Sequence, residues 1–173
     1  MIKVNCNEKF IEKSINDILV QKQFFTIDRE IESFLNINIS LHNETLISEF
    51  NNDKFIIKIP FHLESYLSLL FKNISSLVLE IDGFKYFPFQ QCIEKNNKKI
   101  KLGDIHHKIF YYLVFKNNGI EKTLLYSFIW PNEKEFQLNK LDTHLTNLKK
   151  YLKEQIDYDI NFSSTKGIIK IKN

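Results

Sequence analysis

The feature that most constrains this chain is a row of leucines near its end, at positions 138, 141, 145, 148 and 152. Steps of three and four residues place all five on one stripe of an α-helix and rule out a strand, whose period would be two. A helix striped in this way presses that side on a core. Its other side carries Asn139, Lys140, Thr143, His144, Thr146, Asn147, Lys149 and Lys150, and the run 138–152 holds one carboxylate, Asp142. Such a row of donors and cations is either the solvated back of an amphipathic helix, the commoner case, or a surface for an anionic partner.

The rest of the chain bears on that choice. A hydrophobic share of 43% and an aromatic share of 14%, with sixteen Phe in 173 residues, belong to a folded protein of one large or two small domains. The net charge of +3 is unevenly spread: residues 95 to 173 hold 15 lysines against 8 acids, while residues 1 to 94 hold 9 basic and 13 acidic side chains. A surplus in the second half points to a polyanionic partner there, although chance segregation of surface charge gives the same count. Two cysteines, Cys6 and Cys92, offer neither a metal spacing nor a disulfide framework. No apolar run reaches about 18 residues, and the polar opening NCNEKFIEKS is no leader peptide. These signs predict a cytoplasmic protein that does not span a membrane.

Taken in order, IKVN at 2–5 reads as a strand, and Phe10, Ile11, Ile15, Ile18 and Leu19 recur at helical spacing as far as Gln21. Phe24 to Ile27 is a strand candidate, Arg29 to Leu35 one or two helical turns, Ile37 to Leu41 an alternating strand, and Lys54 to Ile59 a buried strand that Pro60 stops. Thr45 to Phe50 is ambiguous. Phe61 to Phe71 sets Leu63, Tyr66, Leu67, Leu70 and Phe71 on one helical face. Alternating strand and helix favour a small α/β unit over residues 1–74. Tyr66 and Phe71 either widen that helix into a dimer interface or complete the unit's own core.

After Asn73 to Ser76, residues 77 to 102 are β-rich, with Asn96-Asn97 as a tight turn. Asp104 is placed to cap a helix running to about Lys116, a second helix spans Lys122 to Trp130 and stops at Pro131, and a polar loop at 132–137 leads into the leucine-striped helix. A hairpin closes the chain, with Ile160 to Phe162 and Ile168 to Ile171 as strands around Ser163 to Gly167. Trp130 reads as a core anchor, and His106 and His107 as a surface pair, since adjacent helical residues point about 100° apart and cannot share a metal ion unaided.

A sheet, three helices and a terminal hairpin in that order describe a winged helix, so the predicted fold is α+β. Residues 77–173 resemble the OmpR/PhoB-type effector domain of bacterial response regulators. The resemblance is carried by Leu102, Ile109, Phe110 and Leu113, by LLYSFIW at 124–130, by LDTHLTNLKKYL at 141–152, and by STKGIIKI at the tail. Upstream, Pro60-Phe61 followed by HLESYLSLL is similar to the end of a receiver domain. The whole resembles orphan regulators of alphaproteobacteria in which a shortened receiver precedes such an effector.

That resemblance implies a double-stranded DNA partner. It implies contacts from Asn139, His144, Thr146, Asn147 and Lys149, with Ser164 and Lys166 from the wing. Charge and position add Lys140, Lys150 and Lys170, and Thr143 shares the polar face. Thr146 and Asn147 stand where the family often has Arg, which favours A·T-rich targets over bidentate guanine reading. A homodimer follows from the small footprint of one module, and the 131–137 loop lies where such domains meet RNA polymerase. A working receiver needs carboxylates after its first and third strands, but this chain has Asn5, Cys6 and Asn7, then His42 and Asn43. No phosphoacceptor, metal, cofactor or catalytic group is therefore expected, and no hydrolase, phosphate-loop or zinc-protease motif is present. The rival reading is a degenerate winged helix that binds protein and has lost DNA.

Overall fold

A computed structural model describes residues 2–21, 35–50, 53–116 and 118–172. The chain forms two compact units, Met1–Lys72 and Asn73–Asn173, and its fold is α+β. Among the described residues no helix is long and apolar enough to cross a membrane.

In the first unit, strand β1 (Ile2–Cys6) precedes helix α1 (Lys9–Gln21), and β2 (Leu35–His42) runs parallel to β1 with Val4 opposite Ile37. β3 (Thr45–Phe50) and β4 (Asp53–Lys58) then fold back antiparallel, giving the order β1-β2-β3-β4. Only Asn43 and Glu44 separate β2 from β3, and Asn43 takes φ 50°. A link that short can return a chain only antiparallel, because a parallel crossover needs a dozen residues or more. The ambiguous stretch 45–50 is therefore the middle of a meander. Strand residues alternate: Ile2, Val4, Ile37, Ile39, Leu46, Ser48 and Phe50 are buried, whereas Lys3, Asn5, Asn38 and Glu49 face out.

Ile15 and Leu19 of α1 are buried, but Phe10 is 82% exposed, contrary to its sequence placement. It sits about 140° around the helix from Ile15, off the inner stripe. Helix α2 (Leu63–Ser75) buries Tyr66 and Leu70, and the Tyr66 hydroxyl meets the buried Ser48 hydroxyl at 3.0 Å. Tyr66 is thus core, the second of the two alternatives the sequence left open. The strand read at 24–27 lies outside the described residues, and of the turns read at 29–35 only Leu35 is described, as the first residue of β2.

At and just past the end of β1, amides tie that strand to β2. The Asn7 side chain donates to the Leu41 carbonyl at 3.2 Å and accepts from the Leu41 N–H at 3.0 Å, and Asn5 donates to Asn38 at 2.9 Å.

The second unit opens with a four-stranded meander, β5 (Leu79–Ile81), β6 (Phe84–Phe87), β7 (Cys92–Lys95) and β8 (Lys98–Lys101). Asn96 and Asn97 both take positive φ, 51° and 60°, as a two-residue hairpin turn requires. Phe84, Tyr86, Ile93 and Ile100 point into the core, while Glu80, Lys85, Glu94 and Lys99 stand opposite one another in succession across the outer face, alternating in sign.

Helix α3 (Asp104–Phe115) follows. Gly103 is its N-cap, and Asp104 is its first residue, not its cap; the Asp104 carboxylate accepts a hydrogen bond from Gln91 at 3.3 Å instead. β9 (Ile120–Glu121), α4 (Lys122–Ile129), α5 (Leu138–Ile156) and the hairpin β10 (Asn161–Thr165) with β11 (Ile168–Lys172) complete the unit. β9 joins the hairpin as a third strand, beside β11. That contact requires Gly119: its φ is +92°, and a Cβ there would lie 2.7 Å from the Ile168 Cγ2 atom. The wing strands are longer than the sequence reading had them, because Lys166 and Gly167 alone take the turn, at φ 52° and 80°.

Candidate nucleic-acid interface

Helix α5 buries Leu141, Leu145, Leu148, Leu152 and Ile156, one turn beyond the end expected at Leu152. Asp157 then adopts a left-handed conformation, and the N–H groups of Asp157 and Tyr158 turn back to the carbonyls of Lys153 and Leu152. With its seam fixed, the helix shows three further sectors.

The sector opposite the seam is exposed and holds Asn139, Thr143, Thr146, Asn147 and Lys150. Thr143 donates its hydroxyl to the Asn139 carbonyl at 2.8 Å and Thr146 to the Asp142 carbonyl at 2.9 Å, so both threonines have their protons committed to the helix itself. The Asn139 and Asn147 amides make no hydrogen bond among the described residues. Lys150 has only a 3.8 Å contact with Glu154, both well exposed, which is worth little.

The second sector faces the hairpin. Lys122, the first residue of α4, pairs with Asp142 at 2.6 Å, and its N–H donates to the Gly167 carbonyl at 2.9 Å, which ties the start of α4 to both α5 and the wing turn. Lys149 donates to the Asn161 side chain at 2.8 Å and lies 3.3 Å from Asp159. Between helix and hairpin runs a cleft of about 380 Å³ lined by Lys122, Asp142, Thr146, Lys149, Asn161 and Ser164. Lys166 stands at the wing tip and is exposed. Lys170, also exposed, is not brought to this cleft: it lines a separate hollow with Asp82, Phe115 and Tyr158.

The third sector faces away from the wing. Lys140 pairs with Glu133 at 2.6 Å and lies 4.3 Å over the Trp130 ring, while Tyr126 donates its hydroxyl to the same Glu133. These two donors hold the Glu133 carboxyl below its ordinary range, Lys140 first and Tyr126 second. His144 packs between Trp130, with ring centroids 5.5 Å apart, and His106 of α3, 5.8 Å away. Its Nδ1 is buried without a hydrogen-bond partner. Tyr151 continues the row, 6.4 Å from His106, and donates its hydroxyl to the Lys101 carbonyl at 3.0 Å.

Of the residues expected from sequence, the structure therefore gathers Asn139, Thr143, Thr146, Asn147 and Lys150 on one open face, with Lys149, Ser164 and Lys166 beside it. It commits Lys140 to Glu133 and half-buries His144. Sequence reasoning missed Lys122, His106 and Tyr151, whose nearness to α5 arises only from the packing of three helices. It also placed His107 on the surface, and that is corrected here: His107 is fully buried, 6.0 Å from the Tyr86 ring and 6.1 Å from the Tyr111 ring. The sign was present, since positions 107, 110 and 111 share a helical face. Trp130 is half-buried, a partial form of the anchor expected. Among the described residues no three His, Cys, Asp or Glu side chains cluster as metal ligands would.

No protein-family profile and no curated protein sequence matches this chain. Twenty-eight chains of known structure do. One is the DNA-binding domain of E. coli CadC, with a TM-score of 0.48 and 14% identity, the match covering 57% of this chain and 94% of that one. Another belongs to a family of redox sensors in the streptococci evolved from two-component response regulators, with a TM-score of 0.43 and 9% identity over 99% of this chain and 66% of that one. At these identities and TM-scores, neither likeness bears on which residues act.

Proposed function

We propose that this chain is a sequence-specific DNA-binding regulator of transcription. Its α5 enters the major groove, and the Lys166 wing tip meets the backbone or minor groove. The observation that carries this reading is the open sector of α5. Five polar residues spaced over three helical turns stand clear of the unit's own packing, beside a lysine-tipped hairpin. A helix fills a major groove about 12 Å wide, asparagine can bond adenine N6 and N7 together, and lysine neutralises phosphate. Neither asparagine amide is engaged, which leaves both available for base edges.

The first unit serves as a phosphorylation-independent dimerisation or docking module. Amides stand at and just past the end of β1, where acids would be needed, and Leu63 and Leu69 of α2, 53% and 36% exposed, offer apolar contacts to a second copy. The exposed loop 131–137, with Phe136 57% exposed, is the surface offered to RNA polymerase. Incubation with acetyl phosphate and Mg²⁺ is expected to leave the intact mass unchanged; an adduct of about 80 Da, one phosphoryl group, would refute this part of the reading.

The main test is a gel shift at low salt on an A·T-rich duplex, with Asn147→Ala as the variant. Loss of about 1 to 3 kcal/mol at one base position and little elsewhere is the expected result. Uniform loss across sequences would show that Asn147 reads no base. Absence of any shift would favour the rival reading, a winged helix that docks protein.

A further inference from the structure

A helix of about 10 Å diameter lying in a groove about 12 Å wide has a phosphate backbone along each of its flanks. On the wing side of α5 the Lys166 tip is at hand, while Lys122 is held by Asp142 and Lys149 by Asn161 and Asp159. The other flank is differently made. It is a row of four half-buried rings, Trp130, His144, His106 and Tyr151, with neighbouring centroids 5.5, 5.8 and 6.4 Å apart.

The charged groups on the elements around this row are few. Lys140 of α5 and Glu133 of the loop neutralise each other at 2.6 Å. Asp104 of α3 takes a hydrogen bond from Gln91, Lys108 lies two residues beyond His106 on α3, and Lys101 ends β8, its carbonyl holding Tyr151. No salt bridge or hydrogen bond joins a carboxylate to either imidazole among the described residues. The only groups within the row able to gain a positive charge are the two imidazoles.

We infer that His106 and His144 form a proton-linked contact for a backbone phosphate of DNA, on the flank of α5 away from the wing, and share at most one proton between them. This rests on reading α5 as a helix that enters the major groove. With Nδ1 of His144 buried and unpartnered, Nε2 is the nitrogen left to reach an anion. In the free protein burial, and then the neighbouring His144, hold the His106 imidazole below its ordinary range. A phosphate laid along the row supplies the missing counter-charge and draws a proton onto the pair. Two positive charges on rings 5.8 Å apart repel, which opposes a second proton, so an uptake of about one proton per chain is expected on DNA binding.

The experiment is a set of fluorescence-anisotropy titrations of the full chain with an A·T-rich duplex, from about pH 8 to about pH 6 at constant ionic strength. Wild type is compared with His106→Gln, His144→Gln and, as a control in the other unit, His62→Gln. Wild type and His62→Gln are expected to tighten by roughly three- to tenfold per pH unit on acidification, tenfold being the limit for one linked proton. His106→Gln and His144→Gln are expected to bind with a flattened pH profile. Calorimetric titration in two buffers of different ionisation enthalpy should give proton uptake above zero and no greater than about one in wild type, and near zero in both variants. Wild type that binds DNA with no proton uptake, or variants that keep the full pH slope, would overturn the inference and leave the DNA reading standing. Wild type that binds no DNA at any pH would overturn both.

Discussion

His107 offers the sharpest physical test of the second unit's fold. Its ring is buried between Tyr86 and Tyr111 and lies beside the Pro88 carbonyl. Burial dominates and pushes its pKa from 6.5 to about 4, the Pro88 carbonyl and Asp104 opposing that fall. The folded unit thus holds a neutral imidazole that the unfolded chain would protonate below pH 6.5. A base with a depressed folded pKa contributes stability that is fully present above the unfolded pKa, is lost as pH falls between the two values, and is gone below the lower one. At 1.36 kcal/mol per pH unit, the loss is about 2 kcal/mol at pH 5 and approaches about 3 kcal/mol below pH 4. With a urea slope of about 1 to 2 kcal/mol per molar, the unfolding midpoint should drop by roughly 1 to 2 M between pH 7.5 and pH 5. Trp130 is the single tryptophan and lies in this unit, so its fluorescence follows the transition. In His107→Gln the amide cannot titrate; this variant should be less stable than wild type at neutral pH and should lose most of the acid slope. Parallel decline of wild type and variant would refute the assignment of the slope to His107.

Other perturbations follow from the same packing. Gly119→Ala forces a Cβ to 2.7 Å from the Ile168 Cγ2 atom at φ +92° and should cost about 2 kcal/mol or more, read as a fall in the urea midpoint by Trp130 fluorescence; an unchanged midpoint would show that β9 does not hold the wing this closely. Tyr66→Phe leaves the buried Ser48 hydroxyl without its 3.0 Å partner and should lower first-unit stability by about 1 to 2 kcal/mol, measured by hydrogen exchange at β3 amides. Lys150→Ala and Lys166→Ala should each flatten the salt dependence of DNA binding by about one unit of log slope, and Lys140→Ala should leave it nearly unchanged. Equal flattening by Lys140→Ala would mean that its ion pair opens on DNA.

Long-period features were the legible part of this chain. Five leucines over four helical turns admit one geometry, and α5 buries all but partly exposed Leu138 as that stripe requires. Asn96-Asn97 was readable because few residues accept two positive φ values in succession. Short elements were harder. TLISEF alternates over only six residues, and its role as the central strand of a meander depends on a two-residue link and a partner eight residues away. Asp favours the cap position, but the chain enters α3 through Gly103 and the Asp104 carboxylate accepts from Gln91. Pairings between elements, such as Lys122 with Asp142 or His106 with His144, leave no local trace, because they arise from how the three helices pack.

The same contacts decide how much charge the interface has to spend. Counting from sequence, α5 and the wing carry lysines at 140, 149, 150, 153, 166, 170 and 172. The fold engages three of them: Lys140 goes to Glu133, Lys149 to Asn161 and Asp159, and Lys153 to Asp157 at 2.6 Å. Lys170 and Lys172 line the separate hollow away from the cleft. What stays free beside the open sector is Lys150 and Lys166, and Asp142 is itself held by Lys122. Each phosphate neutralised on duplex DNA contributes about 0.9 to the log–log salt slope, so two lysines give a slope near −2 per chain. Non-specific attraction that weak cannot by itself hold one chain on DNA at physiological salt. On the proposed DNA reading, discrimination is expected from the unengaged Asn139 and Asn147 amides, from a second copy, and from the proposed imidazole flank, whose contribution would grow as the pH falls.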